Sequence, residues 1–146
     1  MDDLDEDILR SLNENARRSF REIARELDVS LSTVSNRVHR MEEKGVIKGY
    51  GPIVNAQEVG FDLEAVVCVR ISKGKLIETQ KKIAEDNRVF AVYDVTGDWD
   101  SVIVARFQDR DDLDRFIKNV LTMQYIERSN TQVVLNTVKD EKRVIL

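Results

Sequence analysis

The hydrophobic period of this chain changes once, at Gly49-Tyr50-Gly51-Pro52, where two glycines flank a tyrosine and the only proline of 146 residues follows. Before that point apolar side chains recur at the spacing of amphipathic helices. After it, alternating β-branched runs take turns with helical spacings. A chain carrying both periods is neither one helical bundle nor one sheet. Because glycine and proline end regular structure, the sequence predicts a helical domain at 1–50, a hinge at 51–60 and an α/β domain at 61–146.

In the first domain, Leu4, Ile8, Leu9 and Leu12 make one apolar stripe on a helix over 4–15. Ser19 followed by Glu22 is a capping box that starts a second helix, whose Phe20, Ile23, Ala24 and Leu27 face inward. Only Asp28 and Val29 then precede Ser30, an expected N-cap for a third helix with Leu31, Val34, Val38 and Met41 buried and Gly45 as its stop. So short a turn makes the pair cross steeply, as in a helix-turn-helix, whose second helix enters the DNA major groove. Val46, Ile47, Lys48 and Tyr50 read as a short strand, the wing.

A wheel places Ser32, Asn36, His39 and Arg40 opposite the buried stripe of the third helix, flanked by Thr33, Ser35 and Arg37, with no acid before Glu42. Hydroxyls, an amide and arginines can address base edges and phosphates. Arg17, Arg18, Arg21 and Arg25 are expected beside them on the phosphate backbone. The net charge of −4 opposes DNA binding superficially, but residues 17–50 hold eight Lys or Arg against five acids. The excess acid lies in residues 1–16, where it complements a helix N-terminus. The plainer reading of such a face is a solvated polar surface; the cap, the turn and the missing acids together favour double-stranded DNA.

In the second domain strands are expected at 63–72, 89–96, 100–107 and 131–138, with helices at 76–86 and 111–121. The order βαββαβ is that of a ferredoxin-like fold with both helices on one face. The overall class is therefore α+β: an N-terminal winged helix-turn-helix plus a C-terminal ferredoxin-like domain. Val66 and Cys68 point opposite to Leu63, Ala65, Val67, Val69 and Ile71, and the third and fourth strands repeat this with Ile103 and Ala105 against Val102 and Val104, and Val134 against Val133 and Leu135. Two helices cover only one face, so a second apolar face is left over, which predicts a homodimer and a higher oligomer built from it.

Cys68 and His39 are the only cysteine and histidine, so a Cys/His zinc site, a disulfide and a Cys/His or Ser/His/Asp catalytic set are not expected, nor is a cofactor. No apolar run reaches the roughly 20 residues that span a bilayer, and the acidic start, MDDLDEDIL, is unlike a secretory signal. A cytoplasmic non-enzyme is the expectation.

SLSTVSNRVHRMEEKGVIKGY resembles the recognition helix and wing of the Lrp/AsnC (feast/famine) regulators, and LDEDILRSLNENAR with SFREIARELDVS resembles the helices before them. TGDWDSVIVARF is similar to the Gly-Asp-aromatic-Asp hairpin of that family's ligand domain, and YIERSNTQVVLNTVK to its last strand. The resemblance implies a transcription regulator whose assembly or DNA affinity responds to a small effector, an amino acid, held near Gly97, Asp98, Trp99 and Asp100 between dimers. Asp98 or Asp100 would accept from an α-ammonium group and N–H groups around Gly97 would hold an α-carboxylate. The same residues taken alone are a hairpin turn. Two alternatives stand beside this reading: a ligand-sensing module that does not recognise DNA, and an enzyme resembling the siroheme decarboxylases, which share the two-domain layout.

Overall fold

The computed structural model describes residues Met1–Leu146, which divide into two compact units, Met1–Ile53 with Lys139–Leu146 and Val54–Val138.

The first unit is three helices, α1 (Asp3–Glu14), α2 (Phe20–Glu26) and α3 (Leu31–Glu43). Local chemistry sets each start. Asp2 and Asp5 form a capping box on α1, Ser19 and Glu22 form one on α2, and the Ser30 hydroxyl accepts the Thr33 N–H at 3.0 Å at the start of α3. Between α2 and α3 the chain reverses through Asp28, whose φ of 53° is the one left-handed conformation taken by a residue other than glycine. The Val29 N–H closes this turn on the Ala24 carbonyl at 2.9 Å. Ile8, Leu12, Ile23, Ala24, Val34, Val38 and Met41 form the core. Leu31, expected in the buried stripe, is 45% exposed at the first position of α3 and lies outside this core.

The expected strand at Val46–Tyr50 does not form. Gly45, at φ 68°, turns the chain back so that the Val46 and Ile47 N–H groups both donate to the Met41 carbonyl, at 2.9 and 3.2 Å. Donors spent on the helix end are lost to a ladder. The wing is thus a turn of irregular backbone.

The last residues also belong to this unit. The Asn13 side chain donates to the Val144 carbonyl at 2.9 Å, Arg10 to the Leu146 carbonyl at 3.3 Å, and Arg143 to the Asn13 carbonyl at 2.8 Å. The sequence reading kept this tail with the second domain, since its contacts with α1 span some 130 positions and leave no periodic trace.

The second unit contains β1 (Leu63–Ile71), α4 (Leu76–Ala84), β2 (Val89–Asp94), β3 (Ser101–Phe107), α5 (Arg110–Leu121) and β4 (Ile126–Val133), after a single 3-10 turn at Gln57–Val59. The strands lie in the order β2-β3-β1-β4, every neighbouring pair antiparallel. This is the ferredoxin-like topology that the element order predicts. Ala65, Val67, Val69 and Ile71 of β1 with Ile103, Ala105 and Phe107 of β3 pack under Ile83 of α4 and Leu113, Phe116 and Val120 of α5. On the opposite face Val66 pairs with Val104 and Cys68 with Val102, all half-buried, while Glu64 and Arg106 close one end with an ion pair at 3.3 Å.

The last strand is displaced from its expected position, 126–133 in place of 131–138. β1 decides the matter. Its ladder with β4 runs from Ile71↔Ile126 to Ala65↔Val133, and the Val134 N–H reaches the Glu64 carbonyl at 2.9 Å, after which β1 has nothing more to pair. Leu135 and Val138 are therefore 96% and 94% exposed, apolar character notwithstanding. Residues 127–130, polar and without strand pattern, are in the sheet because a partner strand lies beside them.

Candidate functional site

Helix α3 buries Val34, Val38 and Met41 and leaves Ser32, Ser35, Asn36, His39 and Arg40 exposed, with Thr33 and Arg37 between the two faces. The Ser30 hydroxyl lies 2.8 Å from the hydroxyls of both Ser32 and Thr33, which ties these two into the cap. Ser35 and Asn36 have no partner within the chain. Their side chains are the unoccupied donors and acceptors of the outer face. The His39 ring lies 3.3 Å from Glu43 and 4.0 Å from Glu42, leaning to the acidic end of the helix.

The arginines divide into two kinds. Arg17, Arg21 and Arg25 are exposed and form no ion pair. Arg18 instead bridges α1 and α2, donating to Ser11 Oγ and Glu26 at 2.8 Å and to Glu14 at 3.0 Å. Arg37 and Arg40 both reach back from α3 to Asp5, at 3.1 and 3.0 Å, and Arg37 also donates to Asp2. Asp5 is only 1% exposed. The sequence reading took the early acids as complements to the α1 dipole; the structure makes two of them partners of the outer helix, a relation between positions some 35 apart that spacing could not disclose. Replacing Arg37 or Arg40 by alanine therefore withdraws a partner from a buried carboxylate and alters more than a surface.

These pairs carry a pH signature. The Arg37 guanidinium, then the Asp5 backbone N–H, hold the Asp2 carboxyl below its ordinary 3.8. For Asp5, burial acts upward, but hydrogen bonds from the Asp2 backbone and Arg37 and the nearby charge of Arg40 outweigh it, and the net direction is again down. A depressed carboxylate stabilises the fold fully above its unfolded value and loses that contribution as pH falls through the folded one. Hydrogen-exchange protection of α1 and α3 should thus be level down to about pH 4 and fall below it. Asp5→Asn should flatten that acid limb; an unchanged limb would refute the assignment.

In the second unit, residues 95–100 join β2 to β3. Gly97 adopts φ 109°, open to glycine. The Val95 N–H donates to the Asp100 carbonyl at 3.2 Å and the Asp100 N–H to the Val69 carbonyl at 3.0 Å, whereas the N–H groups of Gly97, Asp98 and Trp99 have no partner in the chain. The Asp100 carboxylate accepts from the Ile71 N–H at 2.8 Å and lies 3.9 Å from Arg70 Nε, so it fastens the hairpin to the end of β1. Asp98 is exposed and its carboxylate is unengaged; its carbonyl accepts from Arg70. The Arg128 guanidinium sits 4.7 Å from the centre of the Trp99 ring. Of the four residues singled out here, Gly97 and Asp98 present open groups, and Trp99 and Asp100 are held by neighbours. Arg70 and Arg128, side by side across the β1–β4 ladder, went unnoticed in the sequence because only strand register brings them to the turn.

Residues 1–48 match the model of a winged helix-turn-helix DNA-binding domain, and residues 64–144 that of the Lrp/AsnC ligand binding domain. An HTH-type transcriptional regulator of Pyrococcus abyssi is 42% identical over 144 residues, 99% of this chain and 98% of its own. Ptr1, an HTH-type transcriptional regulator of Methanocaldococcus jannaschii, is 37% identical over 145 residues, 99% of this chain and 98% of its own. Among solved structures, AsnC of E. coli superposes with a TM-score of 0.92 at 26% identity, covering 99% of this chain and 97% of the other. A Neisseria meningitidis regulator in complex with L-Met shares the fold at a TM-score of 0.91 and 23% identity, covering 99% and 96%.

Proposed function

The chain belongs to the Lrp/AsnC family of DNA-binding transcription regulators, and from that premise we propose that it reads duplex DNA with α3 and alters its assembly or its DNA affinity when an amino acid binds at the β2–β3 hairpin. The observation that carries the first part is the outer face of α3, where Ser35 and Asn36 stand unoccupied. Ser32, Thr33, His39 and the outward edges of Arg37 and Arg40 frame them. Arg17, Arg21 and Arg25 supply phosphate contacts, and Arg18 contributes through the helix pair it holds together. Asparagine pairs well with adenine edges in the major groove, so Asn36 is the base reader of this proposal.

For the second part, three unpartnered N–H groups at Gly97, Asp98 and Trp99, beside the cationic Arg128, suit an α-carboxylate, and the free Asp98 carboxylate suits an α-ammonium group. That a regulator of this fold from N. meningitidis carries L-Met agrees with the ligand class. Self-association through the half-buried Val66, Cys68, Val102 and Val104 would bring two helix-turn-helix units to two half-sites.

One experiment addresses both parts. The wild-type chain selects duplexes from a random pool, and gel shifts compare the selected duplex with a scrambled one, with and without each of the twenty amino acids. Asn36→Ala should weaken the selected duplex by about 5- to 150-fold, equivalent to ~1–3 kcal/mol, and leave the scrambled one unchanged. At least one amino acid should shift affinity or oligomer size, and Asp98→Ala should abolish that shift while DNA binding stays. Equal binding of both duplexes by wild type removes the reader; no response to any amino acid removes the effector.

A further inference from the structure

Asp5 is the only carboxylate buried in the helical unit, and its two oxygens accept four hydrogen bonds. One comes from the Asp2 backbone at 3.1 Å, one from Arg37 Nη1 at 3.1 Å, and two from Arg40 Nη2 at 3.1 and 3.0 Å. Arg37 Nη1 is shared with Asp2. Each guanidinium is thus held by a single nitrogen, and the Nε and the other terminal nitrogen of each are free. Arg37 is 26% and Arg40 44% exposed, so the free edges remain accessible.

A solvated arginine samples many rotamers and follows any phosphate within reach. One held from behind by a buried carboxylate offers its remaining donors in one direction only. Its charge is also partly cancelled, which weakens the sequence-independent attraction that comes from counterion release. We propose that Asp5, although on the first helix, is a specificity-setting positioning residue: it fixes Arg37 and Arg40 so that they discriminate between DNA sequences and restrains them from binding phosphates indiscriminately. The proposal rests on α3 being the DNA-reading helix.

A merely structural Asp5 and a positioning Asp5 differ in what their loss does. Damage to the fold weakens every duplex alike; release of two arginines weakens only discrimination. The wild-type chain, residues 1–146, and its Asp5→Asn variant are compared on a duplex selected by wild type and on a scrambled one, across a salt series. The expected result is a fall of about tenfold in the ratio of the two affinities, scrambled-duplex binding as tight as before or tighter, and a salt slope steeper by about one unit as a freed arginine takes up a phosphate. Asp2→Asn is the second variant, since asparagine caps a helix as well as aspartate does. It removes only the outer partner of Arg37 and should give a smaller change in the same direction. Equal weakening of both duplexes, or an unchanged ratio in both variants, overturns the proposal alone. If wild type selects no duplex from the pool, the DNA-reading assignment fails first and takes this one with it.

Discussion

Phe107→Ala should cost the second unit about 3–5 kcal/mol, the range for removing an aromatic side chain from a closed core. Phe107 ends β3 fully buried, pairs with Leu63 across the β1–β3 ladder, and lies 5.3 Å from Phe116 of α5, ring centre to ring centre. Phe116 in turn has the Arg88 guanidinium 5.2 Å from its ring, and Arg88 ties Asp86 to Asp112 at 2.6 and 2.9 Å. A void at 107 therefore withdraws support from the helix and from the ion cluster at its N-terminus together. Small domains hold only about 5–15 kcal/mol in all, so the variant should unfold in markedly less urea and lose protection in β1, β3 and α5. The helical unit, with its own core, should keep its protection. A loss below about 1.5 kcal/mol would mean that the neighbours collapse into the gap and that this core is far more plastic than its packing implies.

The second large effect concerns association. Val104 lies at the centre of the sheet face that the helices leave uncovered, paired with Val66 on one side and Ala91 on the other. Being half-buried, it should tolerate aspartate in the isolated protomer for about 1 kcal/mol of lost strand preference. Buried against a second copy, the same carboxylate would be desolvated without a partner, at several kcal/mol. Val104→Asp should accordingly weaken self-association by 100-fold or more, about 1.4 kcal/mol for each tenfold, and sediment as a folded monomer at micromolar concentration where wild type is expected to sediment as a dimer or larger. Sedimentation of both proteins at one mass would show that the valine face serves something other than self-association.

What could be read from the residues, and what could not, divides by sequence distance. The Ser19–Glu22 box, the Ser30 cap and the two-residue turn at Asp28-Val29 are local, and each is found where its residues predict it. The alternation of Ala65, Val67, Val69 against Val66, Cys68 is also local, and it gave both faces of the sheet correctly. β4 was misplaced because its limits belong to β1, a partner some sixty positions away, whose end at Leu63 leaves Leu135 and Val138 without a ladder. The wing strand was lost to competition, the Met41 carbonyl taking two donors that a strand would need. At the hairpin, the turn itself followed from Gly97 and Asp98, while the interest of residues 97–100 as a ligand site came from the resemblance alone. The fastening of Asp100 to Ile71 and of Trp99 under Arg128 followed from neither, because strand register creates both. The Asp5 brace is the same case among helices: complementary charges were visible, their pairing was not.

The tail of residues 139–146 has a consequence for how this chain can be cut and joined. Since those residues complete the helical unit, the sheet unit is topologically an insert, entered after Ile53 and left after Val138, and the two ends of the polypeptide belong to one body. A fragment stopped at the hinge would lack hydrogen bonds that the intact unit makes to Arg10 and Asn13, and a tag fused to either terminus is attached to the helical unit.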